Sequence, residues 1–351
     1  MVSLLRLTMD VAEYRLDGNA DAVEFCPYDS FHDILAAATY TLQEGDEPCR
    51  IGGISVFSVM QGSGLKLLQH IETTGIFDIK WNPCLGHKLL AEANSGGFLR
   101  LHELNCNHGT AEDTGEVLKE VVKEDVSSSM CLCLDWNLSS SSIAVGLSDG
   151  SVSIVTISEA QLEITQHWQA HDFEVWASAF DVHHHQLLYT GADDCKFSCW
   201  DLRECTSAMI FQNSKAHKMG VCCIQKNPMN TNLLLTGSYD ESLRLWDMRA
   251  TSRPILEQQI SLGGGVWKFK HHPSIPGLVL AACMHNGFAI VRIKEDGMEL
   301  LENYQKHESL AYGADWHHGK VQLKGETGAG SLVATCSFYD RQLRLWLPNV
   351  L

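Results

Sequence analysis

Histidine and aspartate recur along this chain at spacings that invite a catalytic reading: His171 with Asp194, His217 with Asp240, and His307 with Asp340. A paired imidazole and carboxylate is a common general-base arrangement. Each pair is followed by a tryptophan, at Trp200, Trp246 and Trp346, which makes a set of polar groups that mainly satisfy one another inside a repeated unit. The structural reading is the stronger one. Gly146-Leu-Ser148-Asp-Gly150 matches the G-x-S-x-G pattern of serine hydrolases. That motif needs a strand, a strained elbow and a helix, whereas here it lies in a turn between two strands, so Ser148 is rejected as a nucleophile. The histidine runs at 183–185, 271–272 and 317–318 and Cys131-x-Cys133 bring no tetrahedral set at standard spacing, so no metal is expected. Cys222 and Cys223 are neighbours in a strand and face opposite ways.

The elements that position these residues are legible from Gly220 to Arg249, GVCCIQKNPMNTNLLLTGSYDESLRLWDMR. The stretch runs through an apolar strand, an Asn-Pro turn, a second strand ending in Gly-Ser-Tyr-Asp, and a third alternating up to Trp246-Asp247. With a fourth strand it makes one blade of a WD-repeat β-propeller. One blade cannot bury both its faces, so it implies neighbours. Repeating the pattern gives an all-β, seven-bladed WD40 β-propeller spanning 1–351 as one unit, with blades at about 20–73, 74–124, 130–169, 170–214, 215–262, 263–305 and 306–347. Residues 8–16, TMDVAEYRL, read as a strand that completes the last blade and closes the ring. The stretch from Gln43 to Gly53 reads as a polar loop, as do the acidic segment from Asn105 to Glu116 and the glycine-rich one from Gly319 to Gly330.

A net charge of −17 argues against direct binding of nucleic acid or acidic membrane. Thirteen scattered cysteines read as reduced thiols in the cytoplasm. The apolar start MVSLLRL is too short to span a bilayer, and no membrane association is expected. Nothing calls for a cofactor.

Specificity in a propeller comes from side chains at loop ends around the channel mouth. Aligned first strands place Asp21, Phe77, Leu132, Trp176, Cys222, Trp267 and Tyr312 at one position, and the residues before the turn aspartates add Asp193, Tyr239 and Tyr339. Blade six departs from the pattern: Gly263-Gly264-Gly265 replaces the expected histidine, and His285 or Asn286 replaces the turn aspartate. His285 without a structural partner is a candidate acid or base near neutral pH. Glu174 is another candidate base.

QAHDFEVWASAF, AHKMGVCCIQ, LTGSYDESLRLWD, GGVWKFKHHP, AACMHNGF, YGADW and LVATCSFYD together resemble the WD-repeat diphthine methylesterase family, also called diphthamide biosynthesis protein 7. The resemblance is strongest from about Trp168 to Trp346. It implies hydrolysis of the methyl ester on a modified histidine of elongation factor 2 carrying methylated diphthine, giving diphthine and methanol before the final amidation to diphthamide. Diphthine bears a trimethylammonium group, which Trp176, Trp267, Tyr312, Tyr239 and Tyr339 are suited to hold. For catalysis the expectation is water activation by His285, oriented by Glu174 or Asp193, with Cys283 and Ser337 as alternative nucleophiles. Two other readings stay open. Trp200-Asp-Leu-Arg203 and Trp246-Asp-Met-Arg249 match the repeat ending of noncatalytic adaptors that dock on the cullin-4 ubiquitin ligase. An aromatic cage also suits a methyl-lysine reader.

Overall fold

The computed structural model describes residues 8–349 apart from 46, 61–63, 85, 106–114, 159–160, 204–207, 320 and 323–328. The segment MVSLLRL and most of the acidic and glycine-rich loops lie outside the described residues. Among the described residues every regular element is a strand, and the strands form seven four-stranded antiparallel sheets arranged as a propeller, with a two-stranded ribbon pairing Val321–Gln322 with Ala329–Gly330 beside them. In six sheets the strands follow chain order. The seventh joins Ala311–Trp316, Val333–Ser337 and Gln342–Leu347 to Met9–Arg15. Met9 stands opposite Leu347 and Arg15 opposite Gln342, so the N-terminal strand closes the ring and covers an otherwise open edge.

Strand burial follows from position in a blade. The second strand of blade four, Leu187–Ala192, is buried at every residue because neighbouring blades cover both its faces. Its counterpart at the rim of blade three, Gln161–Gln169, alternates between exposed and covered side chains, as a half-buried strand should. Neighbouring blades are tied by charge-assisted hydrogen bonds. The backbone N–H of Phe25 donates to Asp315 (2.7 Å), Leu134 to Asp78 (3.1 Å) and Phe180 to Asp135 (2.8 Å). Tryptophan repeats the device near the opposite face, where Trp136 Nε1 donates to the Lys80 carbonyl (3.0 Å) and Trp316 Nε1 to that of Lys270 (3.1 Å).

One expected loop is largely strand. Within Gln43 to Gly53, Cys49–Gly53 pairs back onto Thr39–Gln43, extending the hairpin of Ile34–Gln43 and Cys49–Met60 beyond the blade. The run Thr39-Tyr40-Thr41-Leu42 is rich in strand-forming side chains, and Ile51 supplies a cross-strand partner for Thr41, which outweighs the turn-forming Gly and Pro nearby. By chain direction this hairpin rises beside the channel mouth.

Candidate active site at the channel mouth

In six blades the first strand carries a register irregularity against the second, skipping one residue: Asp21, Phe77, Leu132, Trp176, Cys222 and Tyr312. A bulge leaves one residue out of the ladder and re-aims its side chain. Trp267 holds the corresponding place in blade six, immediately before Lys268–His271. A second ring comes from the residue that follows the second strand, or in blade one from within its longer strand. The N–H of Tyr40, Ser95, Ser148, Asp193, Tyr239 and Phe338 each donates across to the carbonyl of the residue two before the bulge, for example Tyr239 to Gly220 (3.0 Å) and Asp193 to Glu174 (3.0 Å). Met284, in the left-handed region with φ 39°, is held to Ala311 of the next blade by two backbone hydrogen bonds.

Together the two rings make a continuous aromatic arc from blade four round to blade two. Trp176 meets Trp267 with ring centroids 5.2 Å apart, Trp267 stacks on Tyr312 at 4.8 Å, and Tyr312 meets Phe338 at 5.1 Å. The arc continues through Phe338 to Tyr40 (4.9 Å) and Tyr40 to Phe77 (4.6 Å). Tyr239 leans on Trp267 at 5.7 Å. Trp176, Tyr239 and Tyr40 are half-buried, so the arc is partly open to solvent, while Trp267 and Tyr312 lie buried within it. Gly265 lets blade six pack closely on blade five, because a Cβ there would stand 3.3 Å from the Tyr239 backbone.

Carboxylates flank and underlie this arc. Glu174 is half-buried and Asp193 exposed at its blade-four end, where burial and the neighbouring charges of Glu174 and Asp194 raise the Asp193 pKa. Beneath the rings the channel holds ion pairs: Lys268 with Asp78, Lys270 with Glu24, and Lys80 with Asp135 at 2.9 Å. Asp78, Asp135 and Asp315 also accept the interblade N–H groups described above. Asp21 does not. It is 1% exposed, and its Oδ1 meets no hydrogen-bond donor among the described residues. Burial pushes its carboxyl up to about 7, with Lys268 pulling it down, Asp78 pushing it further up and the Trp267 indole N–H exerting a weaker downward pull. The indole lies near the carboxyl, although Trp267 Nε1 meets no acceptor at hydrogen-bonding geometry among the described residues.

Trp176, Trp267, Tyr312 and Tyr239 thus lie in one cluster, with Glu174 and Asp193 at its edge. His285 lies outside it, and Tyr339 meets it only at its edge, 4.9 Å from the Phe338 ring. Blade seven has one more residue between Thr335 and Asp340 than blade five has between Thr236 and Asp240, so Phe338 takes the mouth position and Tyr339 swings out to 69% exposure. Asn286 fills the blade-six turn, its Nδ2 bound to the Leu262 carbonyl, which leaves the exposed His285 on the wall of an outer cavity of about 470 Å³ with His307, Glu308 and Tyr339. Tyr40 and Phe338 were not expected at the mouth. Tyr40 stands six residues after the start of its second strand, as Asp193 and Tyr239 do, and could have been found by that count, whereas Phe338 stands five after Val333 and could not.

The remaining chemical motifs are scaffold. His171 Nδ1 lies 3.1 Å from Asp194 and its Nε2 2.8 Å from Thr190, which also accepts the Trp200 indole N–H. In blade five Arg244 intervenes, binding Asp240 through two 2.8 Å contacts and lying 3.0 Å from His217. Burial, and then Arg244, push the His217 pKa down to about 3. Ser337 touches both His307 and Asp340, but a hydrolytic triad requires the imidazole between serine and carboxylate. Here the serine is the bridge, fully buried. Ser148 Oγ accepts the Met130 N–H at 3.0 Å. Burial raises the Cys283 thiol to about 12. His183 bonds the Asn227 carbonyl and His272 bonds Ser331, and no group of three or more His, Cys, Asp or Glu arranged to hold a metal occurs among the described residues.

A family model for the WD domain, G-beta repeat, matches residues 162–201 and 209–247. The fold is shared with a chain in the crystal structure of a mitotic checkpoint complex, at a TM-score of 0.72 over 99% of this chain and 94% of that one, with 16% identity. Among curated proteins, the mouse diphthine methyltransferase is 34% identical over 85% of this chain and 67% of its own length. The diphthine methyltransferase homolog of Dictyostelium discoideum is 30% identical over 95% of this chain and 97% of its own length. The chain belongs to the diphthine methyltransferase family.

Proposed function

We propose that this chain hydrolyses the methyl ester of methylated diphthine on elongation factor 2, releasing methanol and leaving the carboxylate from which the final amide of diphthamide is made. The observation that carries this reading is the aromatic arc with acidic groups at its edge and beneath it. A trimethylammonium ion keeps its charge at every pH and offers no N–H to a hydrogen-bond acceptor. It is held by ring faces, at about 0.5–2 kcal/mol per favourable contact, and by nearby negative charge. Trp176, Trp267, Tyr312 and Tyr239 supply the faces, and Glu174 and Asp193 supply charge at the rim.

A protein substrate fits the surroundings. Leu42 and Ile51 on the raised hairpin, Phe173 and Met219 on loops before first strands, and Tyr339 are all large apolar side chains exposed on the mouth side. Such a collection around a concave site favours protein contact over a small free ligand. Tyr339 and His285 then meet the protein surrounding the modified histidine rather than the ester itself.

The relatives' name speaks of methyl transfer, and one experiment separates transfer from hydrolysis. Purified chain is incubated with elongation factor 2 carrying methylated diphthine, without any methyl donor. Methanol release with loss of one methylene from the modified residue supports the esterase. A gain of methyl that requires an added donor would establish a transferase instead, and binding without chemistry would indicate an adaptor or a methyl-lysine reader. The Asp201–Arg203 and Asp247–Arg249 pairs, whose arginines are exposed, offer a surface for a cullin-4 adaptor without bearing on the mouth.

A further inference from the structure

Asp21 occupies the bulge of blade one, the same structural place that elsewhere in the ring carries an aromatic, a leucine or a cysteine. A buried carboxyl oxygen left without a donor at hydrogen-bonding geometry is costly and is retained for a reason. The other deep channel acids have partners: Asp78 and Asp135 have a lysine and a backbone N–H each, and Glu24 has Lys270. Asp21 alone of this set has a buried oxygen without a donor among the described residues, and the Trp267 indole N–H, itself without an acceptor at hydrogen-bonding geometry, lies near enough to pull on its proton. An acceptor and a donor left open side by side under a cation-binding surface are complementary to a water molecule, whose hydrogen goes to the carboxylate and whose oxygen accepts from the indole.

We propose that Asp21 is the general base of the ester hydrolysis, taking a proton from the water that attacks the ester carbonyl while the Trp267 indole N–H donates to the developing oxyanion. This rests on the esterase reading of the mouth. The water oxygen forms a bond to the carbonyl carbon and its proton passes to Asp21. The tetrahedral intermediate then breaks its bond to the methoxy oxygen, which takes that proton back and leaves as methanol. The new carboxylic acid loses its proton to solvent, so water and ester are consumed and carboxylate, methanol and a proton are formed. The trimethylammonium group rests on the arc above. The charged and titratable groups facing Asp21 are Lys268 from blade six, Asp78 from blade two, Tyr40 from its own blade, Tyr239 from blade five, and Tyr312 and Cys336 from blade seven. Lys268 is the one cation among them, and it is committed to Asp78.

The test is methanol release from elongation factor 2 carrying methylated diphthine, with wild type and Asp21→Asn full-length chains. Loss of a general base lowers kcat by about 100-fold or more, with KM little changed. The wild-type rate falls as pH drops through about 7, where Asp21 takes up its proton, and this limb disappears in Asp21→Asn. A variant with raised KM and unchanged kcat would make Asp21 a counter-ion for the substrate and overturn the assignment. A wild-type profile that is flat from about pH 5.5 to 8.5 would overturn it too, whether or not the variant folds. Silence from the wild type would remove the esterase reading itself, a result distinguishable from an active wild type with an equally active variant.

Discussion

Replacing Asp21 by asparagine should make the protein more stable while making it inactive, and the size of the gain follows from the environment of the carboxyl. The ordinary aspartate pKa of 3.8 is raised to about 7 in the folded chain. The folded state therefore holds its proton more tightly than the unfolded state does. Stability from this group is fully present below pH 3.8, is lost as pH rises toward 7, and stays lost above it. The shift is about 3 pH units, and each is worth about 1.4 kcal/mol, so the ionised Asp21 costs the fold on the order of 4 kcal/mol above pH 7. Asparagine cannot ionise and avoids that cost, while paying something for its own buried amide. The expected net gain is about 2–4 kcal/mol at pH 8.5, shrinking toward zero near pH 4. Parallel urea unfolding of wild type and Asp21→Asn at several pH values measures the difference directly, because other groups titrate alike in both chains. A variant less stable than wild type at pH 8.5 would show that Asp21 supports the fold, and the argument from its unpartnered oxygen would fail.

Three further outcomes follow from the same geometry. Trp176→Ala, at a half-buried rim position, removes one cation contact of about 0.5–2 kcal/mol and should raise KM about 2- to 30-fold with a much smaller change in kcat; an unchanged KM would place the trimethylammonium group elsewhere. His285→Ala should keep kcat within about threefold, since the ring stands in the outer cavity, and a fall of 100-fold or more in the methanol assay would restore it as the base. Thr190→Val strands His171 Nε2 and the Trp200 N–H together, costing about 2–4 kcal/mol in denaturant unfolding. Activity per folded molecule should be preserved, and a specific loss of kcat would contradict the scaffold role of the His171–Asp194 pair.

The architecture was legible because its signals are local and repeated: Asn-Pro turns, Gly-Ser-Tyr-Asp endings and Trp-Asp strands recur at nearly constant intervals. The closing strand was legible for the opposite reason, as a strand-like segment with no repeat of its own. The long hairpin of blade one was missed because QEGDEP contains turn residues, and only the cross-strand pairing of Thr39–Gln43 with Cys49–Gly53 reveals how far the ladder continues past them. At the mouth, Trp176, Trp267, Tyr312 and Tyr239 could be placed by aligning strands. Tyr339 and Phe338 could not be told apart by a rule anchored on the turn aspartate, because one added residue in blade seven exchanges them. Asp21 was visible at its aligned position but carried no mark of special chemistry. That mark is a buried oxygen left without a donor by the neighbouring blades, and no spacing along the chain encodes it.

The bulge at the head of six first strands separates two kinds of inheritance in this chain. The skipped residue has no counterpart across the ladder, so changing its side chain leaves every interstrand pairing in register. Mutations there re-letter the mouth without re-spelling a blade. Aspartate, phenylalanine, leucine, tryptophan, cysteine and tyrosine already occupy equivalent bulges around one ring. A new specificity can thus arise one blade at a time, while the Trp-Asp grammar that identifies the family stays intact.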